Sequence, residues 1–525
     1  MKLRNFFFSL IGLAIISSGS ANAQTGDPAL TSITASELQN HIYFLASDFL
    51  KGRVATTPEY EIAAQYVASQ FAASGVLPAI KDEDGNMSYL QGVPFATTIY
   101  SDKLEWKLSV NDLDISLTHK EDFKIMFGRT FMHEDAQLVW AGYGIQDTES
   151  KWDDFKDLDV SGKIVVIMSG APMKRGKPVL DEETHEKFTG SRGVQSKLFS
   201  GLFRMDAAGI IVVDIDGSSN VEFDTMPSSF STKSTGYKSN KKSSRSSFPT
   251  IYVAKPEFLN LILGDQKNNP LNSKGNILKN YQTQMLEGIS LNSEIEIISE
   301  DIIPSNNVVG IVPGTDPVLK NEYIVVGAHL DHVKPRDGQV CNGADDNASG
   351  SSGVMEVAEA IALNPCKRSV VFIAYTAEEM GLIGSRHFVA SEAYPKDQIK
   401  FNINLDMIGR TSPKNEDTRA HYAVTNKRYL HEINSFINEI NNGVTNFPII
   451  IDDDETSPGG SDHQNFIGVN IPAFFFFSGM HEDLHQPGDD AEKIDYPKAE
   501  SLCKLSYLMT QRLANMETVP TFLKR

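Results

Sequence analysis

Four short apolar runs in the last two-fifths of the chain each lead into residues that can bind a metal ion or transfer a proton. The runs are EYIVVGAHLDH, SVVFIAYTAEE, FNINLDMIG and IPAFFFFSG, at 322–332, 369–379, 401–409 and 471–479. Short continuous apolar stretches are typical of parallel strands that are buried on both faces. Because ligands bind at the carboxyl ends of the strands in an open α/β sheet, we expect the polar residues that follow these runs to meet at one edge.

Helical patterns alternate with these strand-like runs. Apolar residues recur at helical spacing in 349–363, 381–391 and 497–515, and 33–78 reads as two helices joined by a turn. Alternation of this kind, from about residue 293 onward, predicts an α/β fold with a mostly parallel mixed sheet flanked by helices.

A long segment before the apolar runs lacks clustered residues that could bind a metal ion. Residues 129–290 contain strand-like runs with glycine-rich connections, but no clustered set of metal ligands. A chain of 525 residues is also long enough to expect more than one domain. We therefore predict a β-rich, non-catalytic domain at 129–290, inserted into a catalytic domain formed by 24–128 and 291–525.

The first 23 residues have the pattern of an export signal. Lys2 and Arg4 precede an apolar core at 6–16, and Ala21-Asn22-Ala23 offers small residues for cleavage. The core is short for a membrane helix, and no later segment approaches the roughly 20 apolar residues that a span requires. We expect a periplasmic or secreted protein without a membrane span, a retained N-terminal anchor being the alternative.

The net charge argues against a nucleic-acid-binding protein, and the cysteine content excludes a disulfide-rich one. The formal net charge of −20 argues against nucleic acid as a partner. Only Cys341, Cys366 and Cys503 are present, so at most one disulfide can form within the chain, and a disulfide-rich scaffold is excluded.

Two imidazoles and three carboxylates near the predicted strand ends match the ligand set of a two-metal site. Zinc accepts both donor types. Two metals about 3.5 to 4 Å apart require one shared carboxylate and roughly two further ligands each. The tight GADDNASG turn, which carries Asp346, suits the shared position. The predicted ligands are His329, Asp346, Glu379, Asp406 and His485.

The adjacent pair Glu378-Glu379 offers two functions at one strand end. One carboxylate can bind a metal while its neighbour remains free to take a proton from water and deliver it to a leaving amine. Asp331, two residues after His329, is placed to orient that imidazole with its carboxylate.

The motifs GAHLDH, GADDNASG, AEEMGLIGSRHF, NLDMIG, GGSDHQNF and HQPGDD resemble, in order and spacing, those of the M28 family of zinc exopeptidases. The best-known members are secreted bacterial leucine-type aminopeptidases. The segment with SGKIVVIM and AAGIIVV is similar to a protease-associated (PA) domain. The resemblance implies the zinc exopeptidase fold and two Zn²⁺ per chain.

The resemblance also assigns roles to single residues. It implies that His329 and Asp406 bind one zinc, that Glu379 and His485 bind the other, and that Asp346 bridges them. It implies a cis peptide bond after Asp346. Glu378 would be the general base that activates water between the two zinc ions.

One position departs from the family pattern. Several members have a tyrosine before the final histidine, where its hydroxyl stabilises the oxyanion, but this chain has Leu484. His481 and His463 are candidate replacements, although a structural or solvated histidine is the simpler interpretation of each.

These observations predict an exported di-zinc metallo-aminopeptidase that acts on peptides with a free N-terminus. A carboxypeptidase of the glutamate-carboxypeptidase branch is the alternative enzyme, but it needs basic residues for the terminal carboxylate, and only Arg410 and Arg386 lie near the motifs. A non-catalytic binding protein related to the family is the alternative from another class. Such relatives have lost metal ligands, and this chain has not.

Overall fold

The structure is a computed structural model of the chain. It describes residues 27–82, 84–128, 132–174, 176–189, 192–215, 222–238, 249–264, 269, 282–391, 393–415, 419–425, 431–444, 447–452 and 460–521. The predicted export signal at 1–23 lies outside these residues. The chain divides into two compact units, one made of Met1–Phe95 with Ile303–Arg525, the other of Ala96–Ile302.

A mixed sheet with four parallel strands at its centre forms the middle of the first unit. The strand Tyr323–His329, here called the central strand, pairs in parallel with strands on both sides, and a further parallel strand extends the sheet. Antiparallel strands complete it at both edges. In spatial order the strands are Ile449–Asp452, His421–Val424, Ala473–Phe477, Ile399–Leu405, Tyr323–His329, Ser369–Tyr375 and the end of Gln284–Val312.

The four parallel strands are the four apolar runs of the sequence. Every residue of Ser369–Tyr375 is buried, and in the central strand only the first residue is partly exposed. Burial on both faces explains the continuous apolar pattern. The predicted mostly parallel sheet flanked by helices is confirmed.

Helices cover the sheet of the first unit, and side chains of the preceding residues fix where several of them begin. Thr34 accepts a hydrogen bond from the amide of Glu37, and Thr57 does the same for the amide of Tyr60. The main helices are Pro28–Ser32, Ala35–Leu45, Pro58–Ala73, Gly350–Leu363, Ile383–Ala390, His431–Val444, His463–Ile467 and Tyr496–Asn515.

The second unit has its own mainly parallel sheet. Its three central pairings are parallel, and an antiparallel strand closes each side. The parallel strands are Ala136–Trp140, Ile164–Met168, Gly209–Val213 and Thr250–Ala254; the antiparallel strands at the two sides are Phe123–Phe127 and the start of Gln284–Val312. Leu113–Thr118 forms an antiparallel pair with the end of Leu90–Val110, and a short strand lies at Lys233–Tyr237. The helices are Glu182–Thr189, Gly193–Ser200 and Phe258–Leu263. The domain predicted at 129–290 lies within this unit, which begins earlier, at Ala96, and ends later, at Ile302.

Two further sequence predictions concern membranes and cysteines. Within the described part of the chain, no helix is long and apolar enough to cross a bilayer. Cys341, Cys366 and Cys503 are all buried and carry free thiols.

His133 should make the second unit sensitive to acid. Its Nε2 shares a hydrogen bond of 2.8 Å with the Tyr252 hydroxyl, and burial lowers the pKa of His133 to about 4. In the unfolded chain the pKa of histidine is about 6.5, so the folded state resists protonation. The resulting stability is complete above about pH 6.5 and is lost as the pH falls towards 4, by up to roughly 3 kcal/mol.

The check is a urea titration of the full chain and of His133→Asn, which cannot become cationic, at about pH 7 and about pH 4.5. We expect the wild type to lose more stability than the variant between the two pH values. Equal losses would show that His133 does not cause the sensitivity.

Candidate metal centre

Three of the predicted ligands lie at the ends of adjacent parallel strands. His329 is the last residue of the central strand, and Asp406 directly follows Ile399–Leu405. Glu379 comes four residues after the end of Ser369–Tyr375. Because both neighbours run parallel to the central strand, their carboxyl ends lie at the same edge of the sheet.

A tight turn brings Asp346 to this edge. Gly343 begins the turn with a φ of +59°, and a Cβ there would lie 2.3 Å from the carbonyl oxygen of Asp346, so only glycine fits. The Asn347 side chain donates to the Leu405 carbonyl (2.9 Å) and accepts from the Met407 amide (3.2 Å). These bonds join the turn to the residues on both sides of Asp406. The Asp346–Asn347 peptide bond is cis, as the resemblance implied.

The first group of potential ligands consists of His329, Asp346 and Asp406, here called the first cluster. Nε2 of His329 lies 3.3 Å from Oδ1 of Asp346 and 3.3 Å from Oδ1 of Asp406. Ligand atoms at 2.0 to 2.2 Å around a tetrahedral zinc are about 3.4 Å apart. The spacing therefore fits three ligands of one ion.

The second cluster uses the other oxygen of the same aspartate. Nε2 of His485 lies 3.1 Å from Oδ2 of Asp346 and 3.2 Å from Oε1 of Glu379. His332, which the sequence analysis did not single out, lies against the same carboxylates. Its only sequence signal was its place at the end of GAHLDH, three residues after His329.

Three imidazoles surround the carboxylate of Asp346. Burial alone would raise its pKa, but the imidazoles of His332, His329 and His485 lower it well below the ordinary value. The adjacent carboxylates of Asp346 and Glu379, at ion-pair distance from its Nε2, in turn raise the pKa of His485 to about 10. Buried carboxylates are stable only where a cation or donor compensates them. Oε1 of Glu379 has no hydrogen-bond partner among the described residues, as expected of an atom that binds a metal ion.

Asp331 contacts His329 at the end of the central strand and the Glu378-Glu379 pair that follows the adjacent strand. These contacts differ from the predicted one between its carboxylate and the His329 imidazole. Its main-chain carbonyl, not its carboxylate, accepts from Nδ1 of His329 (3.0 Å), while Oδ1 lies 4.0 Å from that nitrogen. This contact leaves Nε2 of His329 free for the first cluster. The Asp331 carboxylate instead accepts from the amides of Glu378 (3.0 Å) and Glu379 (3.3 Å), because it is turned towards the adjacent strand end.

Glu378 combines proximity to the clusters with a raised pKa. Burial raises the pKa of its carboxyl group well above the ordinary value, although the nearby His329 imidazole opposes the shift. A carboxylate with a raised pKa is a stronger base than an ordinary one, which is the property required of a group that takes a proton from water.

Asp489 holds the backbone of the turn that carries Asp346. Its carboxylate is fully buried and accepts from the amides of Asp345 (3.0 and 3.1 Å) and Asp346 (3.0 Å). Asp489 lies four residues after His485. One loop therefore supplies a potential ligand to the second cluster and fixes the backbone of Asp346. Asp489 is part of the motif HQPGDD, but the sequence alone gives no signal of this positioning role.

Arg53 is a second positioning residue that sequence analysis missed. Its side chain is fully buried and donates to the carbonyls of Leu330 (2.8 Å), Asn342 (2.7 Å) and Gly343 (2.9 Å). It thereby connects the end of the central strand with the start of the turn. Burial lowers its pKa to about 10, so it remains a cation at neutral pH. A single arginine between two helices gave no signal of this role.

The candidate replacements for the tyrosine absent at Leu484 occupy buried positions. Nε2 of His481 lies 3.2 Å from Oδ2 of Asp345, and both side chains are nearly inaccessible. The ring of His463 stacks on Phe475 with centroids 4.4 Å apart. Both contacts favour structural roles for these histidines.

Part of the chain is similar to one family of known proteins. Residues 307–509 match the sequence profile of peptidase family M28. The chain is 28% identical to Aminopeptidase YwaD of Bacillus subtilis over 229 residues, 42% of this chain and 47% of that protein. It is 33% identical to Leucine aminopeptidase 2 of Trichophyton rubrum over 180 residues, 33% of each chain. The matches span less than half the length of these relatives.

Among solved structures, the chain is similar to an aminopeptidase from Aneurinibacillus sp. strain AM-1. The sequence identity is 20%, the TM-score is 0.47, and the alignment covers 95% of this chain and 98% of that one.

Replacing Asp489 by asparagine should weaken metal binding without removing a ligand. The new amide has one acceptor oxygen where the carboxylate has two, so the amides of Asp345 and Asp346 lose part of their support. Loss of such a supporting contact weakens metal binding by about 10- to 100-fold.

The measurement is competition for Zn²⁺ with a chromogenic chelator, with Asp490→Asn as the matched control. Asp490 accepts from the Asn342 side chain (3.0 Å). The control should retain wild-type affinity. An Asp489→Asn variant that binds Zn²⁺ as tightly as the wild type would show that the buried carboxylate does not position the turn.

Proposed function

We propose that this chain is a metallo-aminopeptidase that holds two zinc ions and hydrolyses the N-terminal bond of peptides. The match of residues 307–509 to peptidase family M28 supports the proposal. The observation that carries the proposal is the position of Asp346. Its two oxygens face two groups of imidazole and carboxylate ligands, at 3.3 Å from His329 and 3.1 Å from His485. A carboxylate shared in this way is what a two-metal hydrolase requires.

Each cluster has the donors that zinc prefers. His329, Asp406 and one oxygen of Asp346 would hold the first ion; Glu379, His485 and the other oxygen would hold the second. When bound, such a pair polarises the scissile carbonyl and lowers the pKa of water.

Glu378 would carry the proton of the reaction. It accepts a proton from the attacking water and delivers it to the leaving amine, so that one group serves both halves of the hydrolysis. The hydrogen bond from its amide to Asp331 (3.0 Å) holds its backbone beside the ligand Glu379. The proposed base Glu378 and the proposed ligand Glu379 are thus adjacent, and each carboxylate has a separate function.

The charges near the site favour aminopeptidase over carboxypeptidase action. Arg410, a candidate for binding a terminal carboxylate, already forms an ion pair of 2.9 Å with Asp483 and lies 3.9 Å from Asp489. Its charge is therefore compensated within the protein. The complete ligand set argues against a non-catalytic binding protein.

Export and domain organisation belong to the same proposal. We propose that 1–23 is a signal peptide and that the second unit, Ala96–Ile302, corresponds to a PA domain. The motifs SGKIVVIM and AAGIIVV form its adjacent parallel strands Ile164–Met168 and Gly209–Val213. An exported enzyme of this kind would meet peptide substrates in the periplasm or outside the cell.

Glu378→Gln should abolish most turnover and leave the metals in place. Glutamine has nearly the same shape but cannot accept a proton, so kcat should fall by about 10²- to 10⁴-fold. Zinc content, measured by elemental analysis, should equal that of the wild type. The exposed Glu482→Gln is the matched control and should keep full activity. Wild-type turnover in Glu378→Gln would remove the assignment of the base.

A substrate panel tests the reaction itself. We expect release of the N-terminal residue from unblocked peptides and from amino-acid p-nitroanilides, and none from N-acetylated peptides. Chelation with 1,10-phenanthroline should stop the release, and added Zn²⁺ should restore it. Release of C-terminal residues from N-acetylated peptides would instead identify a carboxypeptidase, and activity unaffected by chelator would contradict metal dependence.

A further inference from the structure

Among the described residues, His332 is the imidazole beside the two clusters for which the proposed mechanism gives no role. Its side chain is fully buried, and neither ring nitrogen has a hydrogen-bond partner among the described residues. A buried imidazole without a partner is costly, so such a group calls for an explanation by ligand binding or strain.

The Nδ1 atom of His332 faces the same two oxygens as His485. It lies 3.2 Å from Oε1 of Glu379 and 3.5 Å from Oδ2 of Asp346. The corresponding distances from Nε2 of His485 are 3.2 and 3.1 Å. All four separations are close to the edge of about 3.4 Å expected for ligands around a tetrahedral zinc. Two imidazoles and two carboxylates thus converge on one point.

The backbone is shaped to admit this ring. A Cβ on Gly343 would lie 2.5 Å from Cγ and 2.6 Å from Cδ2 of His332. Any other residue at 343 would displace the ring from the carboxylates. The glycine that starts the Asp346 turn therefore also makes room for the second imidazole.

We propose that His332 is a ligand of the second metal ion, which then has four protein ligands: His332, Glu379, His485 and the shared Asp346. The inference rests on the proposed function, since it assumes that the second cluster holds a metal. An additional neutral donor strengthens binding without adding charge. The first cluster, with three ligands, keeps an open position, which is the property of a catalytic rather than a structural zinc site.

The two histidines of the second cluster differ in accessibility. The His332 side chain is fully buried, whereas 44% of the His485 side chain is exposed. The buried ring is fixed by its surroundings, so the second metal should remain bound when His485 is replaced. The second site is accordingly the tighter of the two.

The test is His332→Gln in the full chain, with His185→Gln in the second unit as matched control. Binding of the more tightly held Zn²⁺, measured by chelator competition, should weaken by at least about tenfold in His332→Gln and stay unchanged in the control. In zinc-loaded protein, the imidazole contribution to the X-ray absorption fine structure at the zinc edge should fall by about a third, from three rings to two.

The outcomes separate the two proposals. If the wild type binds no zinc, the proposed function fails. If the wild type binds two zinc ions but its spectrum shows about one imidazole per zinc and not about 1.5, His332 is not a ligand and only this inference fails. The wild-type spectrum decides the matter even if His332→Gln does not fold. Unchanged affinity in a folded His332→Gln variant would also overturn it.

Discussion

The carboxylate of Asp346 is the constraint on which the candidate site depends, because its two oxygens face two separate groups of ligands. Oδ1 lies against His329 of the first cluster and Oδ2 against His485 of the second. A carboxylate can serve two ions only if its backbone is fixed to within a fraction of an ångström. The surrounding protein supplies that rigidity through the turn at Gly343, which no other residue could form.

Residues outside the two clusters hold this turn in place from three directions. Asp489 accepts from the main-chain amides of the turn, Arg53 donates to the carbonyls that precede it, and Asn347 bonds the chain on both sides of Asp406. All three are buried polar groups, which are stable only when satisfied. Their contacts reach the central strand, the next parallel strand and the loop of His485, so a shift of any one element would move the shared carboxylate.

Much of this arrangement could be predicted from the sequence, because apolar runs and the residues after them carry local signals. The four parallel strands, the covering helices and the strand-end positions of His329 and Asp406 follow from periodicity and from the geometry of parallel sheets. His332, Asp489 and Arg53 could not be found in this way. Their roles depend on which backbone atoms a side chain reaches after folding: Arg53 contacts residues almost 300 positions away. The contact of Asp331 differs from the predicted one for the same reason. Sequence spacing places Asp331 beside His329, but it does not give the direction of the Asp331 carboxylate.

The most direct measurement is an anomalous difference map, recorded at the zinc absorption edge, from crystals grown in excess Zn²⁺. We expect two peaks about 3.5 to 4 Å apart, one on each side of Asp346. One peak would lie among the side chains of the first cluster and the other among those of the second. A map without peaks at these positions, with the Asp346 carboxylate turned away from His329 and His485, would contradict this expectation.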